Sequence, residues 1–213
     1  MESRLLLSFA SLSAHGTLSV VGTNNNDSIV VKFNGAQVQA ILNGQTQSFN
    51  KSDVKRIFAK GLAGDDRISN QTSRPSTLVG DAGNDSLTGG TGNDSLDGGD
   101  GNDTADYSSR TAPITAELQI DQSNPDIIAG VGGFGGQSGE HDVYRSISTV
   151  VGGSGNDSLS VQEINRDSGP NIVGQSFLLD GRNGNDSFNQ NSVESVITSI
   201  GGNGNDRFSF FNI

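Results

Sequence analysis

One six-residue string, Gly-x-x-Gly-Asn-Asp, occurs six times in this 213-residue chain, ending at Asp85, Asp94, Asp103, Asp157, Asp186 and Asp206. The first three copies abut with a period of nine: GDAGNDSLT from Gly80, GGTGNDSLD from Gly89 and GGDGNDTAD from Gly98. Two degenerate copies precede them, GTNNNDSIV with Asp27 and GLAGDDRIS with Asp66. The residue two places after each Asp is apolar: Ile29, Ile68, Leu87, Leu96, Ala105, Leu159, Phe188 and Phe208. In such a unit the glycines permit the positive φ angles of a tight turn, and Asn-Asp tolerates left-handed geometry and bonds back to the backbone. Residues seven to nine alternate polar, apolar, polar, which makes a three-residue strand with one inward side chain. So short a strand is stable only when stacked, with successive coils pairing as parallel strands about 4.8 Å apart. The expected fold is all-β, a parallel β-roll or β-solenoid of glycine-rich nonapeptides.

The chain outside the repeats divides accordingly. Residues 21–60 contain SIVVKF, AQVQAIL and QTQSF separated by Asn34-Gly35 and Asn43-Gly44, a pattern that predicts an antiparallel β-meander capping the coil at its N-terminal end. The β-roll proper is expected over 61–106 and a second solenoid block over 152–213, where NIVGQSFLLDG and SVESVITSIGG lead into the last two glycine turns. Between them, 107–151 reads as an insertion, with a strand over Ala112–Leu118 and a Gly-rich loop from Gly130 to Gly139. Residues 1–20 are leader-like: Arg4 precedes a short apolar run, and Leu12-Ser13-Ala14 offers a cleavage point.

With 24 Asp and Glu against 13 Lys and Arg, the net charge of −11 argues against nucleic acid and anionic membrane surfaces and in favour of cations as partners. The chain has no cysteine, which removes disulfides, zinc-thiolate sites and thiol nucleophiles. No apolar run approaches the roughly 18 residues of a membrane-spanning helix. Gly130 to Gly135 satisfies G-x-G-x-x-G, but the continuation GQSGEHD does not open a helix and no βαβ unit surrounds it. The only histidines are His15 and His141, and no G-x-S-x-G elbow is present, so the chain is not expected to be an enzyme. Glu140-His141-Asp142 reads as a solvated polar loop.

Chemistry concentrates on the repeated aspartates. Asp85 and Asp103 are eighteen residues apart, so one coil brings them to the same edge, about 4.8 Å from each other. Two bare charges there repel by roughly 0.9 kcal/mol in water and about 3.5 kcal/mol at an effective dielectric of 20. A divalent cation reverses the sign, and a set of carboxylate and carbonyl oxygens suits Ca2+ better than zinc or copper. The alternative is that the Asn-Asp turns cap their own backbone and need no metal.

The nonapeptides resemble the RTX, or haemolysin-type, calcium-binding repeat G-G-x-G-x-D-x-U-x, which the copy from Gly89 fits at every position. The resemblance implies a β-roll with two nonapeptides per coil and calcium between neighbouring turns. Carried over residue by residue, it implies a site with side-chain oxygens from Asp85 and Asp103 and backbone carbonyls from Gly80, Ala82, Gly98 and Asp100. Asp66 extends the same edge. Asp94 faces the other edge, with residues 76 and 112 as its expected neighbours; these are Ser and Ala, so its site is incomplete. Asp157, Asp186 and Asp206 form a second group, with Asp186 and Asp206 as its pair, and Asp27 is not expected to bind. The segment Glu2 to Leu7 also resembles the LEPR-x-LL motif of planctomycete surface proteins, with Ser3 in place of the family's proline. Together these resemblances imply a secreted or cell-surface protein that folds on calcium and serves a structural or adhesive role, with a surface or matrix partner the sequence does not name. The alternative is the calcium-binding secretion module of a cytolysin, protease or polysaccharide-modifying enzyme.

Overall fold

Each pair of nonapeptides closes one coil by sending one strand into each of two sheets. A computed structural model describes residues 8–121, 131–164, 176–191 and 195–211. Its strands are β1 (Ala10–Leu12), β2 (Thr17–Val21), β3 (Ser28–Asn34), β4 (Gln37–Leu42), β5 (Gln45–Asn50), β6 (Arg56–Ala63), β7 (Arg67–Gln71), β8 (Ser76–Ala82), β9 (Ser86–Thr88) and β10 (Ser95–Asp100). They continue with β11 (Thr104–Asp106), β12 (Thr115–Asp121), β13 (Val131–Gly135), β14 (Asp142–Arg145), β15 (Thr149–Val151), β16 (Ser158–Ile164), β17 (Ser176–Asp180), β18 (Ser187–Asn191), β19 (Val196–Ile200) and β20 (Arg207–Phe210). Sheet A runs β1-β2-β6-β8-β10-β14-β13-β12-β16-β18-β20, and sheet B runs β19-β17-β15-β11-β9-β7-β3-β4-β5. There is no helix among the described residues, hence none long and apolar enough to cross a membrane.

Pairing is parallel through most of both sheets, which stacks the inward residue of each unit on that of the next. Ile29, Ile68, Leu87 and Ala105 align in sheet B; Leu78 aligns with Leu96 in sheet A, and Leu159 with Phe188. All eight are fully buried in one shared core. Such a core needs only one apolar side chain per strand, so a glycine-rich chain can build it. Phe208 is the exception among the expected inward residues. Its strand β20 lies at the edge of sheet A, so the ring stacks on Phe188 at 4.8 Å but stays 42% exposed.

The meander forms as expected: β3, β4 and β5 pair antiparallel at the edge of sheet B. Its Asn-Gly turns place Gly35, Asn43 and Gly44 at positive φ. Two other segments differ from the sequence reading. The leader-like stretch 1–20 supplies β1 and the start of β2 to sheet A, with Ala10, Leu18 and Val20 in the core; residues 1–7 lie outside the described residues. Leu18 and Val20 alternate with polar neighbours, a strand signal that the apolar run before them overshadowed. The insertion 107–151 is also built into the roll. β12 leaves a gap in sheet A, β13 returns antiparallel to it, and β14 fills the place beside β10. Part of the expected Gly-rich loop is therefore strand β13, and residues 122–130 lie outside the described residues.

Candidate metal centre

The aspartates stand where the chain turns from one sheet to the other, and the two sides of the roll carry separate columns. On the turn from sheet A to sheet B the order is Asp27, Asp66, Asp85, Asp103. The N–H of Asp27 donates to Asp66 Oδ1 (2.7 Å), that of Asp66 to Asp85 Oδ1 (2.8 Å), and that of Asp85 to Asp103 Oδ1 (2.8 Å). On the opposite turn Asp94 N–H donates to Asp142 Oδ1 (2.9 Å), Asp157 N–H to Asp186 Oδ1 (2.7 Å) and Asp186 N–H to Asp206 Oδ1 (2.9 Å). The asparagines make a second ladder in the reverse sense. Asn102 N–H donates to Asn84 Oδ1 (2.9 Å), Asn185 N–H to Asn156 Oδ1 (2.8 Å) and Asn205 N–H to Asn185 Oδ1 (2.7 Å). Each coil thus gives an amide to the aspartate of the next and accepts one through its asparagine.

One carboxylate oxygen of each ladder aspartate accepts a backbone amide, except in Asp27, whose Oδ1 accepts from Asn43 Nδ2 (2.5 Å), and the other oxygen divides them into two kinds. Oδ2 of Asp66, Asp85, Asp94, Asp103 and Asp186 is buried with no hydrogen-bond partner. Oδ2 of Asp27 accepts from Thr23 N–H (2.5 Å) and Oγ1 (3.0 Å), and Oδ2 of Asp157 accepts from Gly153 N–H (2.8 Å). These two oxygens are bonded within their own turns, although a Cβ on Gly152 would still meet both Asp157 Oδ2 and the Gly181 carbonyl. Asp206 is half-buried on the last described turn.

The first glycine of each unit makes room for the unpaired oxygen. A Cβ on Gly80 would overlap Asp85 Oδ2 and stand 2.5 Å from Gly98 O. A Cβ on Gly61 would overlap Asp66 Oδ2 and stand 2.9 Å from Gly80 O, and one on Gly181 would overlap Asp186 Oδ2 and stand 3.0 Å from Gly201 O. At Gly98 the same position meets Asp103 Oδ2 and Ser146 O. At the fourth position Gly83 and Gly101 are held by both space and conformation: a Cβ would overlap the Gly64 or Gly83 carbonyl, and φ is 136° and 138°, a region closed to side chains. The second position is more permissive, with Asp81 at φ 78°.

Each such cradle brings together one buried carboxylate oxygen and the carbonyl of the following coil. Among the described residues no three His, Cys, Asp or Glu side chains converge on one point, so backbone carbonyls must complete any coordination shell. That donor set of hard oxygens fits calcium and not a soft metal. Asp66 with the Gly80 carbonyl, Asp85 with Gly98, Asp103 with Ser146 and Asp186 with Gly201 would hold the ion, and bound calcium would supply positive charge to oxygens that have no other partner.

The expected donors fall in two cradles. Asp85 and Asp103 are adjacent in the ladder, but an amide sits between their carboxylates, and each belongs to its own cradle. The Ala82 and Asp100 carbonyls accept from Gly64 N–H (2.8 Å) and Gly83 N–H (2.9 Å) and belong to the backbone ladder. The neighbours of Asp94 are Ser76, which donates through N–H and Oγ (both 2.7 Å), and Asp142 in place of Ala112. Asp142 is fully buried and not part of a solvated loop. Its signal was the string Asp142-Val143-Tyr144, an Asp followed two places on by a large apolar residue, obscured because Gly139 precedes it by three residues instead of two.

Residues 75–105 and 148–160 match the model of the RTX calcium-binding nonapeptide repeat, in four copies. These stretches carry RTX-type calcium-binding repeats. The RTX repeat family binds calcium ions, and the matched stretches contain Asp85, Asp94, Asp103 and Asp157. The cradles at Asp66 and Asp186 lie outside those stretches and share the geometry of the RTX turns at Asp85 and Asp103. No curated protein and no solved structure matches the chain.

Burial pushes the free carboxyls of these cradles upward, and neighbouring aspartates add to it. Asp66 and Asp103 are raised to about 6, and Asp85 and Asp186 are raised as well. The metal-free fold accordingly holds protons that the unfolded chain, with ordinary carboxylates near 3.8, has released. Stability from this source is full below the unfolded range and is lost as the pH rises through about 6. The metal-free chain is expected to melt at a higher temperature near pH 5 than near pH 7.5, and calcium, which competes with those protons, to bind more weakly at the lower pH. Metal-free melts that are flat or rise between these pH values contradict the assignment.

Proposed function

We propose that the chain is an extracellular calcium-binding β-roll whose repeat blocks fold when calcium enters the aspartate cradles, and that it serves a structural or adhesive role. The observation that carries this reading is the set of buried, unpartnered Oδ2 atoms on Asp66, Asp85, Asp103 and Asp186, each against a glycine and beside a backbone carbonyl. A buried ionised oxygen without a partner is strongly unfavourable. An ion that binds the coil and not the unfolded chain removes that penalty and adds about 2.7 kcal/mol per site at a hundredfold excess over its dissociation constant. Extracellular calcium would then hold the roll together, and RTX calcium-binding repeats are typically found in secreted proteins. The role is read as non-catalytic: the chain's two histidines, His15 and His141, are both exposed.

The test is a calcium titration of the chelator-treated chain followed by far-ultraviolet circular dichroism. A cooperative gain of β signal completed by millimolar calcium, with no such gain on adding magnesium, is the expected result. A full β signal and an unchanged melting temperature in EGTA would sink the proposal.

A further inference from the structure

The insertion carries a cluster of buried polar side chains that the aspartate ladders do not use. Arg110, 7% exposed, grips Glu140 with both terminal nitrogens, Nη1 to Oε1 at 2.9 Å and Nη2 to Oε2 at 3.1 Å. The side chain of Glu140 is also almost fully buried. Nη2 of Arg110 donates in addition to the carbonyl of Gly90. Gly90 belongs to the turn ending in Asp94, and Glu140 to the turn ending in Asp142, the next in the same column. The guanidinium therefore spans two successive turns by donating to oxygens of both.

The same two turns differ from the cradles in two further ways. Asp142 has no free oxygen, because Oδ1 accepts the Asp94 amide and Oδ2 accepts Tyr107 OH at 2.8 Å. Tyr107 OH in turn accepts from Tyr144 OH at 2.7 Å. At Gly89 the three atoms nearest to where a Cβ would stand all belong to Asp94, and no carbonyl of a following coil is among them as one is at Gly61, Gly80, Gly98 and Gly181.

We propose that Arg110 is a built-in cation for the Asp94 and Asp142 turns, linking oxygens of both as calcium would link the other turns and offsetting with its charge the one oxygen left unpartnered there, Asp94 Oδ2, so that this rung needs no metal. The inference rests on the calcium reading of the remaining turns. It divides the roll into one calcium ladder through Asp66, Asp85 and Asp103 and another through Asp186, joined by a block held by its own side chains. A cation fixed by three hydrogen bonds stays when calcium is withdrawn.

The chain has no tryptophan, and its only two tyrosines are Tyr107 and Tyr144. The near-ultraviolet dichroism of tyrosine therefore reports this block alone. In the wild-type chain that signal is expected to persist in EGTA while the far-ultraviolet β signal falls. Arg110→Ala vacates the position: its tyrosine signal is expected to become calcium-dependent, and equilibrium dialysis to count about one more bound calcium per chain. Arg110→Lys keeps a charge there and is expected to retain the EGTA-resistant signal at least in part. Loss of the wild-type tyrosine signal in step with the β signal on chelation, or an Arg110→Ala signal as indifferent to calcium as the wild type, overturns the inference. If Arg110→Ala folds in neither condition, Arg110→Lys decides: a lysine as damaging as alanine rules out a cation requirement, and retention of the signal sustains it. A wild-type chain that binds no calcium defeats the functional reading instead, and the Arg110 variants in EGTA still decide whether the block depends on that charge.

Discussion

Asp103→Asn is expected to make the chain more stable in EGTA and less stable in calcium. The substitution keeps the part of the side chain that the ladder uses, since an asparagine Oδ1 still accepts the Asp85 amide now bonded at 2.8 Å. It replaces the unpartnered Oδ2 with a neutral donor facing the Ser146 carbonyl, which stands at the same cradle. Without metal, removing a buried unpaired charge gains about 1 to 3 kcal/mol. With metal, one cradle loses its carboxylate and with it about 2.7 kcal/mol at a hundredfold excess of calcium. Melting temperatures of the variant and the wild type in each condition should therefore change places. A variant that is less stable in both conditions would show Asp103 to be structural, and one unchanged in calcium would remove it from the metal centre.

Gly80→Ala is expected to close a cradle from the opposite side. Gly80 lies outside the positive-φ region that excludes side chains, but an alanine Cβ there would overlap Asp85 Oδ2 and stand 2.5 Å from the Gly98 carbonyl. Neither atom belongs to a flexible chain end that could swing aside. The expected loss is about 1 to 3 kcal/mol from overpacking, with a further loss in calcium because the added methyl fills the space next to both candidate donors. A dialysis count of one calcium fewer, with a lower melting temperature in either condition, is the measurement. Gly35 is the control: a Cβ there meets nothing within 4 Å and φ is 57°. Gly35→Asn, which suits left-handed geometry, should leave both readings within about 0.5 kcal/mol of the wild type.

The repeat spacing made the architecture legible, because a period of nine with one apolar residue per unit has few folded solutions, and the residues two places after each Asp, all but Phe208, lie in the core. Less legible was why the two glycines of a unit differ: Gly80 is required for space, Gly83 for space and for its positive φ as well, a distinction that only the packed turn reveals. The aspartates also looked equivalent. Asp157 and Asp85 share the string Gly-Asn-Asp-Ser-Leu, yet an amide of its own turn satisfies Asp157 while Asp85 keeps a free oxygen. The interruption of the repeat concealed Asp142, since topology and not period places it beside Asp94: β14 reaches β10 only after β12 and β13 have been laid down further along the sheet. Arg110 gave no signal at all, because a single arginine in an insertion is ordinarily a surface residue.

The two opposed amide ladders bear on how such a chain can grow. Every coil both lends to and borrows from the one that follows, so a lone unit is incomplete at each face while an inner one is complete at both. An in-frame duplication of residues 86–103 would insert a whole coil, with a fresh aspartate offered to the amide behind it and a fresh asparagine to the amide ahead, and would disturb no existing pair. Lengthening by whole coils is then nearly neutral to the neighbours, whereas gaining or losing a single residue within a coil severs both ladders at once.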